Sequence, residues 1–159
     1  MTDGFENLDP DQIFSLWRNG EFGFNKEMNP IPVKIDANGV LLRMPFNEQF
    51  CADEEGGLLH GGVLAALLDA SFGLSALLLV KGLQSLATLD LRVEYLRPAK
   101  SRSDVMVFAE CYRQTRHVVF NRGRIWFSDD DAGDVAAGYA TFAITRSSGD
   151  QMYKTGDGQ

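Results

Sequence analysis

A single carboxylate, Asp69, lies inside the most apolar stretch of the sequence, Val63 to Val80. Its neighbours there are mainly alanine, leucine and phenylalanine, so a helix in this stretch offers it no polar face to share. Aspartate is rarely buried without a partner, and carboxylates in apolar surroundings cluster at active sites. A buried aspartate that only hydrogen-bonds across a subunit interface fits the same pattern. We favour a catalytic Asp69, acting as a general base or as a nucleophile.

The tripeptide His60-Gly61-Gly62 opens this apolar stretch. The first amides of a helix have no intrahelical acceptor, and glycine lets a ligand approach the backbone closely. Together with the helix dipole, these amides predict a site for an anion or an oxyanion, with Gly61 and Gly62 in contact with the substrate. Taken alone, the tripeptide also fits a plain glycine-rich turn. The carboxylate seven residues after Gly62 favours the functional explanation of the tripeptide.

The spacing of these two features predicts a dimer. Seven residues of helix cover ~10 Å, so Asp69 lies too far from its own helix start to act on an atom held there. A second subunit whose helix runs antiparallel across a two-fold axis would bring its helix start to Asp69. The sequence therefore predicts a homodimer with two shared sites, provided that both features serve one site.

The elements around these residues predict an α+β fold. Asp36-Ala37-Asn38-Gly39 separates two β-rich runs and is typical of a hairpin. Short loops connect four further strands, which favours antiparallel pairing; they are predicted at Leu86–Leu96, Asp104–Tyr112, Val118–Ser128 and Val135–Thr145. In the first of these strands, Leu89, Leu91, Val93 and Tyr95 are predicted to share one face.

A helix that is apolar nearly all round must be enclosed. We therefore expect a curved antiparallel sheet of five to six strands wrapped around one long central helix, which ends at about Val80 before Lys81-Gly82. A short N-terminal helix is predicted from Asp9-Pro10 to Gly20. Residues 1–146 are expected to form one domain, and the polar tail 147–159 to be disordered.

The composition excludes several classes of protein. The chain has 159 residues, which fits one domain, and two distant cysteines, which argue against a disulfide framework and a metal site. No cofactor is expected. The net charge of −7 speaks against nucleic-acid binding. The acidic N-terminus does not resemble a targeting signal, and a carboxylate within the apolar stretch argues against a membrane span. We expect a cytoplasmic protein.

The charge is unevenly distributed along the chain. The segment from Lys81 to Ile125 contains nine basic and four acidic residues, whereas residues 1–60 contain four basic and eleven acidic residues. From charge alone, solvated strand edges are the preferred explanation. The functional alternative is a basic rim for an anionic ligand, such as the phosphates of coenzyme A.

The run from His60 to Asp69 resembles the signature of the hotdog-fold thioesterases, in particular their PaaI-like group. The run from Thr88 to Ala99 is similar to the strand that follows the helix in that family. The resemblance covers roughly Val40 to Ile144 and implies a helix held in a curved sheet, dimers joined edge to edge, and in many members a dimer of dimers.

The resemblance also implies roles for individual residues. Asp69 takes the place of the acidic base or nucleophile, and Gly61 that of the glycine whose amide polarises the thioester carbonyl. His60 is placed as a hydrogen-bond donor to the substrate, and Thr88 matches a residue that orients the attacking water. Glu54 stands where many members carry Asn or Gln, so it either joins the site as a second carboxylate or faces solvent.

The turn between the predicted strands Asp104–Tyr112 and Val118–Ser128 departs from the family as well, because Thr115 stands in place of a glycine. Arg116 is the first candidate for a contact with the coenzyme A phosphates, and Arg113 the second.

Three functions follow as expectations. The first is hydrolysis of an acyl-CoA or aryl-CoA thioester. The second is hydration or dehydration of an acyl thioester, for which His60 and Asp69 would supply the acid and base. The third is binding of acyl-CoA without turnover. We favour hydrolysis because the spacing from His60 to Asp69 resembles the thioesterases more than the hydratases.

Overall fold

The computed structural model of the protein describes residues 24–53, 55–80 and 84–146. Within these residues the chain forms two α-helices, one 3-10 helix and six β-strands. In chain order they are α1 Phe24–Met28, β1 Ile31–Asp36, β2 Gly39–Met44, the 3-10 helix Glu48–Phe50, α2 Gly61–Leu79, β3 Gln84–Tyr95, β4 Val105–Gln114, β5 Val118–Phe127 and β6 Ala136–Arg146.

The six strands form one sheet in the order β1-β2-β4-β5-β6-β3, and every neighbouring pair is antiparallel. Helix α2 packs against β2, β3, β4, β5 and β6. The predicted antiparallel sheet around one long helix is therefore confirmed. Strand β3 follows α2 in the chain but pairs with β6, so it forms an edge of the sheet.

The β1–β2 hairpin turns at the predicted Asn-Gly pair. Gly39 has a φ of 139°, and a Cβ atom there would lie 2.4 Å from the carbonyl oxygen of Ala109. The backbone N–H of Asn38 donates to Asp36 Oδ1 at 2.8 Å. Glycine at this position thus serves both the turn and the close approach of the neighbouring strand β4.

Two glycines in the middle of the sheet let α2 lie close to it. Gly123 of β5 is opposite Gly138 of β6. A Cβ atom on Gly123 would lie 2.8 Å from Cε1 of Phe72, and one on Gly138 would lie 3.0 Å from Cδ1 of Leu68. Both Phe72 and Leu68 are fully buried. The flat strip that these glycines form is what the aromatic ring packs on, so the centre of the sheet leaves no room for larger residues.

The predicted alternation along β3 is wrong at Leu89. The pairing with β6 shifts between Thr88 and Asp90, so Leu89 is the extra residue of a β-bulge. Leu91 and Val93 pack against the core as predicted, but Leu89 is 61% exposed and Tyr95 is 55% exposed. A bulge resets which face a side chain takes, and an edge strand has no outer neighbour to cover it.

Some predicted features lie outside the described residues: the helix from Asp9 to Gly20, Lys81-Gly82 at the end of α2, and the tail 147–159. In the described part of the chain, α2 alone is long and apolar enough to cross a membrane by length and composition, with a mean hydropathy of 1.9. Just over half of it, 56%, is buried within the fold. The core helix of a folded domain has the same properties.

Candidate active site

Hydrogen bonds at both ends hold the loop that leads from Asp53 into α2. Asp53 Oδ1 accepts from the backbone N–H groups of Gly57 and Leu58, each at 2.9 Å. These two hydrogen bonds, first that of Gly57, hold the pKa of Asp53 below its ordinary value. The backbone N–H of His60 donates to the carbonyl of Phe50 at 2.9 Å. The loop therefore delivers His60 to a fixed position at the start of the helix.

His60 caps the helix with its imidazole ring, a role usually taken by Ser, Thr, Asp or Asn. Its Nδ1 accepts from the backbone N–H of Gly62 at 3.0 Å. The N–H of Gly61, in contrast, has no acceptor among the described residues. Helix-start geometry predicted that both glycines contact the substrate, and the resemblance assigned the polarising amide to Gly61. The structure distinguishes the two amides. Gly61 offers a free amide, whereas the amide of Gly62 is occupied by the cap.

Tyr95, at the end of β3, contacts the same helix start. Its hydroxyl donates to the carbonyl oxygen of Gly61 at 2.9 Å. Its ring lies over Gly61, where a Cβ atom would be 3.2 Å from the nearest ring atoms. Sequence reasoning gave Tyr95 no functional part. The one available signal was its place on the predicted face of Leu91 and Val93, which turns toward the helix.

Asp69 and Thr88 form the second polar contact between α2 and β3. The hydroxyl of Thr88 donates to Asp69 Oδ1 at 3.0 Å. Asp69 is half-buried and Thr88 is exposed. The structure thus brings together two residues to which the family resemblance had given separate roles at the site. It corrects the expectation of wholly apolar surroundings, because the side of the helix that carries Asp69 faces an edge strand with a polar side chain.

The two contacts are separated along both elements. Gly61 and Asp69 are eight residues apart in α2, which is about 12 Å of helix. Their partners on β3, Tyr95 and Thr88, are seven residues apart in the opposite chain direction. The free amide and the carboxylate of one chain therefore do not meet. A site built from two chains stays a prediction at this point.

The model of the family described as the thioesterase superfamily matches residues 56–133, a range that contains the helix start, Asp69 and Thr88. A protein of Pseudomonas aeruginosa of known structure is 30% identical, with a TM-score of 0.68 over 84% of this chain and 95% of that one. The chain belongs to the thioesterase superfamily.

Other comparisons show a shared stretch of sequence or the same fold. The chain is 39% identical over 75 residues to a protein of Halobacterium salinarum that carries an esterase name, and it spans about half of that relative, 48%. A thioesterase of Haemophilus influenzae has the same fold at 17% identity, with a TM-score of 0.75 over 89% of this chain and 94% of that one. A protein of Ralstonia eutropha described as related to phenylacetic acid degradation has it at 23% identity, with a TM-score of 0.68 over 83% and 98%.

The predicted hotdog fold is thereby confirmed. Membership of the superfamily supports hydrolytic activity of the thioesterase type. Within this thioesterase fold, the part of the chain that the structure describes has no cluster of three His, Cys, Asp or Glu residues with the geometry of a metal site.

In the described part of the basic segment, which begins after the undescribed Lys81, the cations divide into two kinds. Most of its cations have an acidic partner; the pairs are Arg92–Glu94, Arg97–Asp130, Lys100–Glu55, Arg102–Glu48, Arg122–Glu110 and Arg124–Asp134. The side chains of Arg113 and Arg116 are exposed and have no ion pair or hydrogen bond within the described ranges. The solvated-surface explanation therefore accounts for most of the segment, but not for these two.

Arg113 and Arg116 lie beside the β4–β5 turn, at the same end of the sheet as Thr88. Thr115 closes the turn, because its backbone N–H donates to the carbonyl of Val118 at 2.8 Å and its hydroxyl accepts from the N–H of Val118 at 3.1 Å. Phe142 of β6 pairs with Val119 on one side and with Thr88 on the other. Glu54, the remaining predicted site residue, lies outside the described residues.

Proposed function

We propose that the protein hydrolyses acyl-CoA or aryl-CoA thioesters to the free acid and coenzyme A, without a cofactor, in the cytoplasm. The observation that carries this proposal is the pairing of Asp69 with Thr88 on one half of β3 and the unoccupied Gly61 amide beside its other half. A carboxylate can activate water or attack the thioester carbon, a hydroxyl can orient the water, and a free helix-start amide can stabilise the oxyanion.

Two reaction routes use these groups. In the first, Asp69 accepts a proton from water, and the resulting hydroxide forms a bond to the thioester carbon while Thr88 orients it. In the second, a carboxylate oxygen of Asp69 attacks the carbon itself and gives an acyl-enzyme anhydride that water then opens. In both, the Gly61 amide stabilises the oxyanion and the carbon–sulfur bond breaks, releasing the coenzyme A thiolate.

The proposal includes a homodimer joined along β3. Among the described residues no strand pairs with the outer edge of β3, and three large apolar side chains on or next to this strand are exposed: Leu89, Tyr95 and Leu96. Antiparallel pairing with a second copy, with Thr88 opposite the partner's Tyr95, would be centred on Arg92, because Leu89 is the extra residue of the bulge and takes no position in the register. That register would bring Asp69 of one chain toward the free Gly61 amide of the other.

The acyl-CoA assignment rests on the two free arginines. Arg116 and Arg113 are exposed, unpaired in the described structure and at the sheet end that carries Thr88. Guanidinium groups in this state suit phosphate oxygens. The PaaI-like group and the description of the Ralstonia eutropha protein make aryl-CoA thioesters the first substrates to test.

The decisive experiment compares Asp69→Asn with Asp129→Asn on a panel of short, long and aromatic acyl-CoAs. Asn keeps the shape of Asp69 but neither takes up a proton nor attacks carbon, so kcat should fall by at least roughly 100-fold. Asp129 is exposed, and its carboxylate has no hydrogen bond in the described part of the chain, so Asp129→Asn should match wild type. Free coenzyme A is measured with a thiol reagent.

Three results would contradict the proposal. Near wild-type kcat in Asp69→Asn would remove the assignment of the carboxylate. A change in the absorbance of an enoyl-CoA substrate without release of free coenzyme A would indicate a hydratase. Tight binding without turnover would indicate a binding protein.

For the wild type, an acyl-pantetheine that lacks the nucleotide should show a higher KM at a similar kcat, because a phosphate contact contributes mainly ground-state binding.

A further inference from the structure

A continuous chain of hydrogen bonds runs through the helix start. Tyr95 Oη donates to the Gly61 carbonyl at 2.9 Å, and the Gly62 N–H donates to His60 Nδ1 at 3.0 Å. The Gly61 carbonyl and the Gly62 N–H belong to the same peptide group. A donor on the carbonyl oxygen polarises that group and strengthens its N–H as a donor, so the two hydrogen bonds support each other.

This series of hydrogen bonds determines which nitrogen of His60 carries the proton. Since Nδ1 accepts from Gly62, a neutral His60 has its proton on Nε2. The ring is exposed, so the Nε2–H group is open to a ligand beside the free amide of Gly61. The same contacts keep Gly61 in place, because the ring of Tyr95 lies against its Cα, where a Cβ atom would be 3.2 Å away.

We propose that Tyr95 is a positioning residue for the oxyanion site, acting through the Gly61–Gly62 peptide on His60. It does not itself touch the reacting atoms. Its hydroxyl fixes the peptide that holds the Nδ1 atom of His60, and its ring fixes the backbone that presents the Gly61 amide. The helix start thus offers two fixed donors, Gly61 N–H and His60 Nε2–H. This inference rests on the proposed function for its kinetic part only.

The test uses Tyr95→Phe, which removes the hydroxyl and keeps the ring, with Tyr139→Phe as the matched control. Tyr139 is an exposed tyrosine on β6, and its hydroxyl has no hydrogen bond within the described residues. Long-range ¹H–¹⁵N correlation spectra of the full-length protein report the tautomer of His60, with His60→Gln used to assign the signals. The samples contain no substrate, so this readout stands even if the protein turns over no acyl-CoA.

The wild type and Tyr139→Phe should show His60 with its proton on Nε2. In Tyr95→Phe the two nitrogen signals should move toward each other, as expected for a mixture of tautomers. With an acyl-CoA substrate, kcat of Tyr95→Phe should fall roughly tenfold to a hundredfold, because the His60 Nε2–H and Gly61 N–H donors are displaced rather than lost. KM should change by less than about twofold. Assays are run at concentrations where sedimentation shows the same association state for all variants.

Unchanged His60 signals in Tyr95→Phe would overturn the proposal, whatever happens to kcat. A changed His60 signal with wild-type kcat would overturn the catalytic part. A purely structural role predicts a lower melting temperature with both readouts at their wild-type values, and that result would also count against the proposal.

Discussion

The centre of the sheet and its β3 edge both pack on helix α2, but they do so in different ways. At the centre, Phe72 lies on the glycine pair of β5 and β6, and the contact is apolar and fully buried. At the edge, Asp69 and Gly61 meet Thr88 and Tyr95 through hydrogen bonds that are open to solvent. One helix therefore makes a fully buried apolar contact with the centre of the sheet and a solvent-exposed polar contact with its edge.

This difference separates stability from function within one element. The central contact needs nothing beyond the protomer, because its apolar surface is already removed from water. The edge keeps a carboxylate, a free amide and exposed apolar side chains, and within the described residues these groups leave room for a substrate or a second chain. We expect changes at the centre to affect folding, and changes at the edge to affect activity and association.

The largest effect is expected at the centre. Phe72→Ala should lower the free energy of unfolding by about 3–5 kcal/mol, because it removes a fully buried ring and leaves a cavity. The matched edge variant is Leu89→Ala, which truncates a side chain that is 61% exposed in the protomer. It should cost less than about 1 kcal/mol in folding and should weaken the dimer instead.

Urea unfolding followed by circular dichroism at several protein concentrations separates these two effects. The loss in Phe72→Ala should not depend on concentration, whereas any loss in Leu89→Ala should shrink as concentration rises. Equal, concentration-independent losses in both variants would remove the distinction between centre and edge.

A smaller effect is expected at Asp53, which holds the loop before the helix start. Its folded pKa lies below the ordinary value because of hydrogen bonds from Gly57 and Leu58. The stabilisation is therefore fully present above the unfolded pKa of about 3.9 and is lost as pH falls through the folded value. Asp53→Asn should lower the melting temperature at pH 7 and should have a smaller effect at an acid pH below about 3.9. Asp129→Asn serves as the control without such hydrogen bonds. A difference for Asp53→Asn that is the same at both pH values would contradict this account.

Local patterns in the sequence were sufficient to predict most of the architecture. The Asn-Gly hairpin, the start of α2 after His60 and strands β3 to β6 are each encoded by residues close together in the chain. The bulge at Leu89 was missed because alternation assumes regular pairing, which only the register with β6 reveals. Helix α1 carries no comparable local signal and was not predicted.

The candidate site divides in the same way. Asp69, Gly61 and His60 stand out by type and spacing, and Thr88 follows from the family resemblance. Tyr95 reaches Gly61 only because β3 runs back along α2, and that contact spans 34 positions in the chain. The distinction between free and paired arginines likewise depends on neighbours that are distant in sequence, such as Asp130 for Arg97.

The central claim is that each active site takes its carboxylate from one chain and its helix-start amide from the other. It rests on the about 12 Å of helix that separate Gly61 from Asp69. Two inactive variants test it: Asp69→Asn, and Gly61→Pro, which removes the free amide at a helix position where proline is tolerated. Each homodimer should be nearly inactive, with circular dichroism and light scattering confirming a folded dimer.

After subunit exchange, half of the dimers in an equal mixture should contain one chain of each kind. Each of these has one site with an intact Asp69 and an intact Gly61 amide, so the mixture should recover about a quarter of wild-type activity. Native mass spectrometry of an isotope-labelled variant shows that exchange has occurred. Recovery to that level is the result we predict, and no recovery in a mixture with proven exchange would contradict the shared site.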